Sequence, residues 1–427
     1  MGKNIFVLGM LDWQRRELET ISRADELNFH PLFTSEELKS QQMGFNELLE
    51  RARQQLSESP KPDAFICHWD FPSSCIAPIL SAEYGLRAPS LESVLKCEHK
   101  YWARLEQQRS APDYIPEFQA VDPFDPEAVE KFSLEFPVWI KPIKGHSSLL
   151  GFRLENRADL ERALAEMRDH IADLGALFDE CLQHATLPPE IQGIGGRHAI
   201  AESIISGRQF APEGYVQDGK VMIHGMFDMM IDDGKAVLGL RYPAQLPASV
   251  TERSKDASRQ VLKQVGFDDG CFNVEFLWDE DTDKIAIIEV NTRISQSHSE
   301  MFRMVDGMSN HEFAVSVALG EEPRFPHQRG SSETAAKFYL TKLEDAEVTR
   351  VPEQHEIEAL QKEFGALIEL EVQAGDRLSE LPGQPVYCFN VAFAWIGAAS
   401  NDELMDKYKR LVPRIPIEFS DGQHLKI

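Results

Sequence analysis

The residues with the clearest chemistry lie between Cys271 and Arg303. Asn273 to Trp278 alternates as a strand does, Asp279 to Lys284 is a charged turn, and Ile285 to Asn291 is apolar except at Glu289 and Asn291. Side chains alternate faces along a strand, so Glu289 and Asn291 point the same way, with Ile287. With residues 281 to 283 at the loop tip, Glu275 falls opposite Glu289. Like charges at that cross-strand spacing, roughly 4.5–5.5 Å, destabilise a sheet. Two carboxylates and an amide oxygen suit a hard divalent cation such as Mg²⁺, which draws its remaining ligands from water and phosphate. Arg293 offers a planar fork to phosphate or carboxylate. Taken alone, the stretch could also be an exposed edge hairpin with incidental charges.

Other candidates precede and follow it in the chain. Lys100 opens a helical pattern, and Lys141 ends a strand that runs into the turn GHSSLLG at 145–151. Lysines bring point charges to phosphates, and a Gly/Ser turn lets backbone N–H groups approach them. Ala199 to Tyr215 reads as strand–turn–strand and carries Glu202, Gln209 and Glu213. Arg241, in GLRYPAQLP, could grip a substrate carboxylate or pair with a nearby acid. Ser297 and His298 follow the carboxylate hairpin and could line an acceptor pocket, although a lone His is more often structural.

These groups need a scaffold. The chain has 427 residues, 42% hydrophobic and 27% charged, with a net charge of −26. That charge repels nucleic acid and anionic membranes, so an anionic ligand must be held by a local cluster of cations or metal. The six cysteines show no CxxC or zinc spacing and read as reduced thiols of a cytoplasmic protein. Residues 1 to about 95 alternate strand and helix, which implies a small parallel sheet, and GxGxxG is missing after the first strand. Trp69-Asp70 ends the third strand, where open α/β sheets bind ligands, or begins a helix. Helices are expected over 73–84, 96–109, 157–174, 252–265 and 310–319. Asp218-Gly219 marks a hairpin.

The order and spacing of Lys100, the WIKPIKG lysine Lys141, the Gly/Ser turn, the Glu202 strand and the carboxylate hairpin resemble the ATP-grasp superfamily along nearly the whole chain. The likeness is to L-amino acid ligases, and more distantly to biotin carboxylase and D-alanine–D-alanine ligase. The resemblance implies a mixed α/β and α+β chain of ATP-grasp fold. It divides into a Rossmann-like pre-domain at 1–96, an ATP-grasp domain at 97–325 with a lid at about 135–206, and a C-terminal α+β module at 326–427. It implies ATP with Mg²⁺, or Mn²⁺ in its place, and a homodimer by family habit. Matched by position, Lys100, Lys141, Ser147 and Ser148 would hold phosphates. Glu202, Ser203 and Ile204 would receive adenine. Gln209 stands where many relatives have a ribose-binding acid, and Glu213 shares its face. Glu275, Glu289 and Asn291 would bind metal. Arg293 and Arg241 would serve catalysis and the substrate carboxylate, with Ser297 and His298 beside them.

The implied activity is ADP-forming ligation of a small carboxylate, as an acylphosphate, to an amine or similar nucleophile. A bicarbonate-activating carboxylase and a non-catalytic ATP-binding regulator are the alternatives. Here the lid reads Ser-Ser-Leu-Leu-Gly, one residue longer than the usual form. Ser295 to Glu300 replaces the glycines that relatives carry after the metal asparagine.

Overall fold

The computed structural model describes residues 2–39, 43–145, 149–232, 237–381, 384, 388–423 and 425. The lid residues Ser147 and Ser148, with His146, lie outside them. The chain forms two compact units, one of residues 1–224, 246–295 and 311–324 and the other of 225–245, 296–310 and 325–427.

The first unit opens with parallel strands β1 (Lys3–Leu8), β2 (Leu27–Leu32) and β3 (Ala64–Cys67), ordered β2-β1-β3. Their apolar residues Ile5, Val7, Ala64 and Ile66 pack with Leu18 and with Val315 and Ala318 of helix His311–Ala318. Helix Ser73–Tyr84 ends at Gly85, whose φ of 65° closes it in the left-handed region.

The helix expected over 96–109 is two helices, Leu91–Glu98 and Lys100–Ser110. His99 divides them. Its backbone is extended, its Nδ1 accepts from the Trp102 N–H at 3.1 Å, and its Nε2 donates to the Ile194 carbonyl at 2.9 Å. That cap makes Lys100 the first residue of a new helix rather than a mid-helix surface residue.

Strands β4 (Phe118–Val121), β5 (Val138–Pro142), β6 (Phe152–Leu154) and β7 (Ala199–Ser203) form an antiparallel sheet ordered β4-β7-β5-β6. Helix Arg157–Leu182, capped by Asn156, lays Leu160, Leu164, Met167 and Ile171 against Val138, Ile140 and Ala199. It runs past the expected end at 174.

Next come β8 (Arg208–Gln217), β9 (Lys220–Ile231), β10 (Val237–Tyr242), β11 (Gly270–Asp279) and β12 (Lys284–Asn291). Within the first unit β12, β11 and β8 are antiparallel neighbours. Asp218 and Gly219, at φ 50° and 72°, make the tight turn from β8 into β9.

The second unit adds β13 (Thr334–Lys342), β14 (Val348–Arg350), β15 (Ala366–Leu370), β16 (Phe389–Ala398) and β17 (Glu418–Phe419). Its main sheet runs β9-β10-β13-β16-β15, and β14 pairs with β17. Phe338, Leu340 and Ile396 share a core with Ile357, Leu360, Leu404 and Tyr408 of helices Gln354–Phe364 and Asn401–Leu411. Helix Ser299–Asp306, not foreseen from sequence, buries Met301, Phe302 and Val305 with Tyr242, Ala335 and Trp395.

Among the described residues no helix is long and apolar enough to cross a membrane. All six cysteines are free thiols.

Candidate active site

Across the β11–β12 hairpin Glu275 pairs with Glu289, and Asn273 with Asn291. One residue further along, Phe276 pairs with Ile287, which leaves Ile288 as a bulge. The bulge breaks the alternation, so Ile287 turns with Phe276 to the face opposite Glu289, against the expectation that it shares that face. Strand β8 brings Gln209 opposite Leu277 and Glu213 opposite Asn273, on the carboxylate face.

Each Glu275 oxygen takes a hydrogen bond, Oε2 from Gln209 Nε2 at 2.7 Å and Oε1 from Asn291 Nδ2 at 3.1 Å. Burial, and then the nearby Glu289, pushes the Glu275 carboxyl up to about 8. Such a pair fits an oxygen-seeking divalent cation, whose charge would reverse the push. Among the described residues no three His, Cys, Asp or Glu side chains converge on one point. A cation here would therefore rest on Glu275, Glu289 and the Asn291 amide oxygen, with phosphate and water completing its shell.

These residues line a cavity of about 460 Å³ that also presents Asp70, Glu98, Lys100, Lys141, Lys144 and Gly145. A more open groove of about 700 Å³, lined by Phe124, Leu182, Ile191 and several glycines, lies elsewhere in this unit. Size would favour the groove. The convergence of charge favours the smaller cavity.

Each cavity lysine is met by an acceptor of the protein itself. Lys100 Nζ donates to the Gly145 carbonyl at 2.9 Å, and burial brings it down to about 8, with Glu289 opposing. Lys141 Nζ lies 2.7 Å from Glu202. Lys144 pairs with Glu98 and sits 5.3 Å above the Phe71 ring. Burial alone would lower Lys144, but Glu98 and Asp70 hold it above the ordinary lysine value.

Arg293, the expected phosphate or substrate arginine, forks onto Asp70 through Nε–Oδ1 and Nη2–Oδ2 contacts, both 2.8 Å. Burial would raise the Asp70 carboxyl, yet Arg293, then Lys144 and Lys100, keep it below the usual range.

Glu202, assigned to adenine, is buried between Arg104 Nε at 2.6 Å and Lys141. Burial opposes its ionisation, but these cations hold it down at about 2. Each of its oxygens already carries an ion pair, so adenine recognition by this carboxylate is not the arrangement found. Ser203 is tied to Glu117 through paired backbone and hydroxyl hydrogen bonds, and neither it nor Ile204 lines the cavity. Glu213 is fully buried, 3.8 Å from His224, and is likewise absent from the lining.

Arg241, Ser297 and His298 belong to the second unit. Arg241 is no open carboxylate grip. It forks onto buried Asp228 at 3.1 and 2.6 Å and donates from Nη1 to Gln245 at 2.9 Å and Asn401 at 2.8 Å. His298 lies flat on Phe227, centroids 3.5 Å apart and planes 6° from parallel. Ser297 Oγ is 3.4 Å from Lys337 Nζ.

Sequence reasoning missed Glu98, Arg104 and Lys144. Lys144 repeats the Lys141 signal within WIKPIKG. Arg104 stands four residues after Lys100, on the same helix face. Its Nη2 donates to the Ile288 carbonyl at 3.0 Å.

Residues 134–300 match the model of the ATP-grasp domain. Over 128 residues the chain is 30% identical to the carbamoyl phosphate synthase large chain of Xylella fastidiosa, which covers 28% of this chain and 12% of that one. The chain spans less than half the length of the curated relatives it matches. Among solved structures, the L-amino acid ligase from Bacillus licheniformis aligns over 98% of this chain and 99% of its own at a TM-score of 0.71 and 17% identity. The biotin carboxylase domain of the Hydrogenobacter thermophilus 2-oxoglutarate carboxylase, solved with MgADP and bicarbonate, aligns over 100% and 92% at 0.64 and 15%. At these identities the likeness is one of fold.

Proposed function

We propose that this chain, which carries an ATP-grasp domain over residues 134–300, is an ATP-dependent ligase. It would activate a small carboxylate, an amino acid in the leading reading, as an acylphosphate for attack by an amine or similar nucleophile. The observation that carries this reading is one cavity holding Glu275 opposite Glu289 together with Lys100, Lys141 and Lys144. A like-charged carboxylate pair is costly without a cation, and a lysine cluster beside it suits phosphate.

Glu275, Glu289 and Asn291 would hold Mg²⁺, which when bound supplies charge neutralisation to phosphate oxygens. The lysines would fix the triphosphate so that its γ-phosphorus meets the incoming carboxylate oxygen in line. The new O–P bond forms as the bond to the β–γ bridging oxygen breaks, and ADP leaves. The amine then attacks the acyl carbon, phosphate departs with the C–O bond pair, and the amine releases a proton. Arg293, drawn from Asp70, would steady the carboxylate or the leaving phosphate. Positioning and electrostatics suffice, with no side-chain nucleophile. Ser147 and Ser148, outside the described residues, would hold phosphates as their matched positions imply, and the division at about 96 and 325 would separate the nucleotide machinery from its flanking modules.

A phosphate-release screen of amino acids, singly and in pairs, with Mg·ATP tests this. Release that depends on an acid and an amine together supports it. Release with bicarbonate alone would favour the carboxylase reading. Binding of Mg·ATP without release under any condition would favour a non-catalytic regulator.

A further inference from the structure

In the second unit, Lys337 of β13 is a buried cation, 8% exposed, and among the described residues no carboxylate lies within ion-pair distance of it. Its Nζ stands 3.8 Å from the Phe393 ring centroid, 4.8 Å from Trp395 and 5.8 Å from Tyr339. The register pairs Lys337 with Trp395 and Tyr339 with Phe393, so these side chains share one face of the β13–β16 pair. The polar side chain that meets the ammonium is Ser297, at a long 3.4 Å. An ammonium has three N–H groups to satisfy, and ring faces answer its charge less fully than an anion does. Burial draws Lys337 down to about 8, and Glu369 and Glu371 act against that from beyond ion-pair range. Conserving the fold would not require this: methionine would fill the same aromatic slot without a buried charge.

We propose that Lys337, with Ser297, anchors a carboxylate subsite walled by Tyr339, Phe393 and Trp395. The ligand class is a small carboxylic acid with an apolar body, such as a hydrophobic amino acid. The ammonium and the Ser297 hydroxyl each donate to a carboxylate oxygen, and the rings take the apolar part. Naming a substrate carboxylate rather than an inorganic anion rests on the ligase reading above.

The test is calorimetric titration of the full chain, with Mg²⁺ and a non-hydrolysable ATP analogue present, using leucine, phenylalanine, alanine, aspartate and inorganic phosphate. Wild type is expected to bind leucine or phenylalanine better than aspartate. Lys337→Met is expected to weaken that binding about tenfold or more, the effect of losing a charge-assisted hydrogen bond, while Lys337→Arg retains part of it. Thermal melting of each variant confirms folding. Where an acid supports ADP release, K337M raises the KM for that acid and leaves the KM for Mg·ATP within about twofold. No heat from any acid with wild type, equal affinity in wild type and K337M, or a preference for phosphate overturns the subsite. Acid binding lost in K337M, without ADP release under any condition, keeps the subsite and overturns the ligase reading.

Discussion

Arg104 donates to the carbonyl of Ile288, the one bulged residue of the carboxylate strand, at 3.0 Å. The same guanidinium holds Glu202 at 2.6 Å and Gln107 at 2.5 Å. A single buried side chain thus joins helix Lys100–Ser110 to β7 and to the backbone next to Glu289.

Arg104→Met is expected to remove that joint. Glu202 would keep Lys141 but lose half its compensation, a change that costs about 3 kcal/mol for a buried pair. ATP turnover by the folded fraction is expected to fall roughly tenfold to a hundredfold as Glu289 drifts. Urea melts alongside ADP release measure both. Arg104→Lys is not expected to rescue, because one ammonium cannot reach all three acceptors. Wild-type turnover in Arg104→Met would remove the positioning role.

Glu289→Ala is expected to separate stability from function. Glu289 raises the Glu275 carboxyl, so removing it relieves repulsion and leaves the melting temperature of the nucleotide-free protein unchanged or higher. Turnover is expected to drop by about 10²–10³-fold or more. Mg·ATP is expected to stabilise wild type by about 3 kcal/mol at a hundredfold excess over its dissociation constant, and this variant far less. Full activity in Glu289→Ala would sink the cation site.

Arg241→Met is expected to be a stability variant. It would remove the Arg241 fork from fully buried Asp228, at a cost of about 3–5 kcal/mol. The double variant Arg241→Met with Asp228→Leu is expected to recover much of that loss. If the single variant melts like wild type but raises the KM of a carboxylate substrate, the substrate role returns.

Stability is expected to fall with acid partly through His68 and His311, whose rings lie 4.6 Å apart and fully buried. Burial, and then Arg293, brings His68 down to about 3; burial, and then His68, brings His311 well below its ordinary value. Both are neutral when folded. The unfolded chain takes up protons below its ordinary histidine value of about 6.5, so stability is complete above that pH and declines as pH falls toward 3. The limiting slope is about 1.4 kcal/mol per pH unit for each ring. Urea melts between pH 7.5 and 5 read it, and His68→Phe is expected to flatten the slope. An unchanged slope in that variant would contradict this source.

Much of the hairpin could be read from the chain. The charged turn and the apolar run set the register, so Glu275 opposite Glu289 followed from counting. Ile288 did not, because a bulged isoleucine among isoleucines leaves no mark in composition or alternation. The break at His99 was hidden for a related reason: the periodicity continues across it, and its cap depends on Ile194, distant in sequence. Arg241 read equally as a substrate grip or a paired cation, since Asp228 becomes its neighbour only when β9 and β10 pair. Lys100 and Lys141 were legible as charge, while Lys144 and the partners Glu98 and Glu202 join them only when the folded chain brings their elements near.

Under the proposed reading, those partners would set the terms on which a nucleotide enters. Lys100 rests on Gly145, Lys141 on Glu202 and Lys144 on Glu98. The cavity is a set of made contacts rather than bare cations, so phosphate would have to bind by exchange. A lysine released from a carboxylate leaves an anion behind, and that anion repels any ligand arriving without a cation of its own. Under the proposed ligase reading, the entrance would favour the metal complex of the nucleotide over the free polyanion. Affinity for nucleotide is then expected to follow divalent ion concentration more steeply than ionic strength.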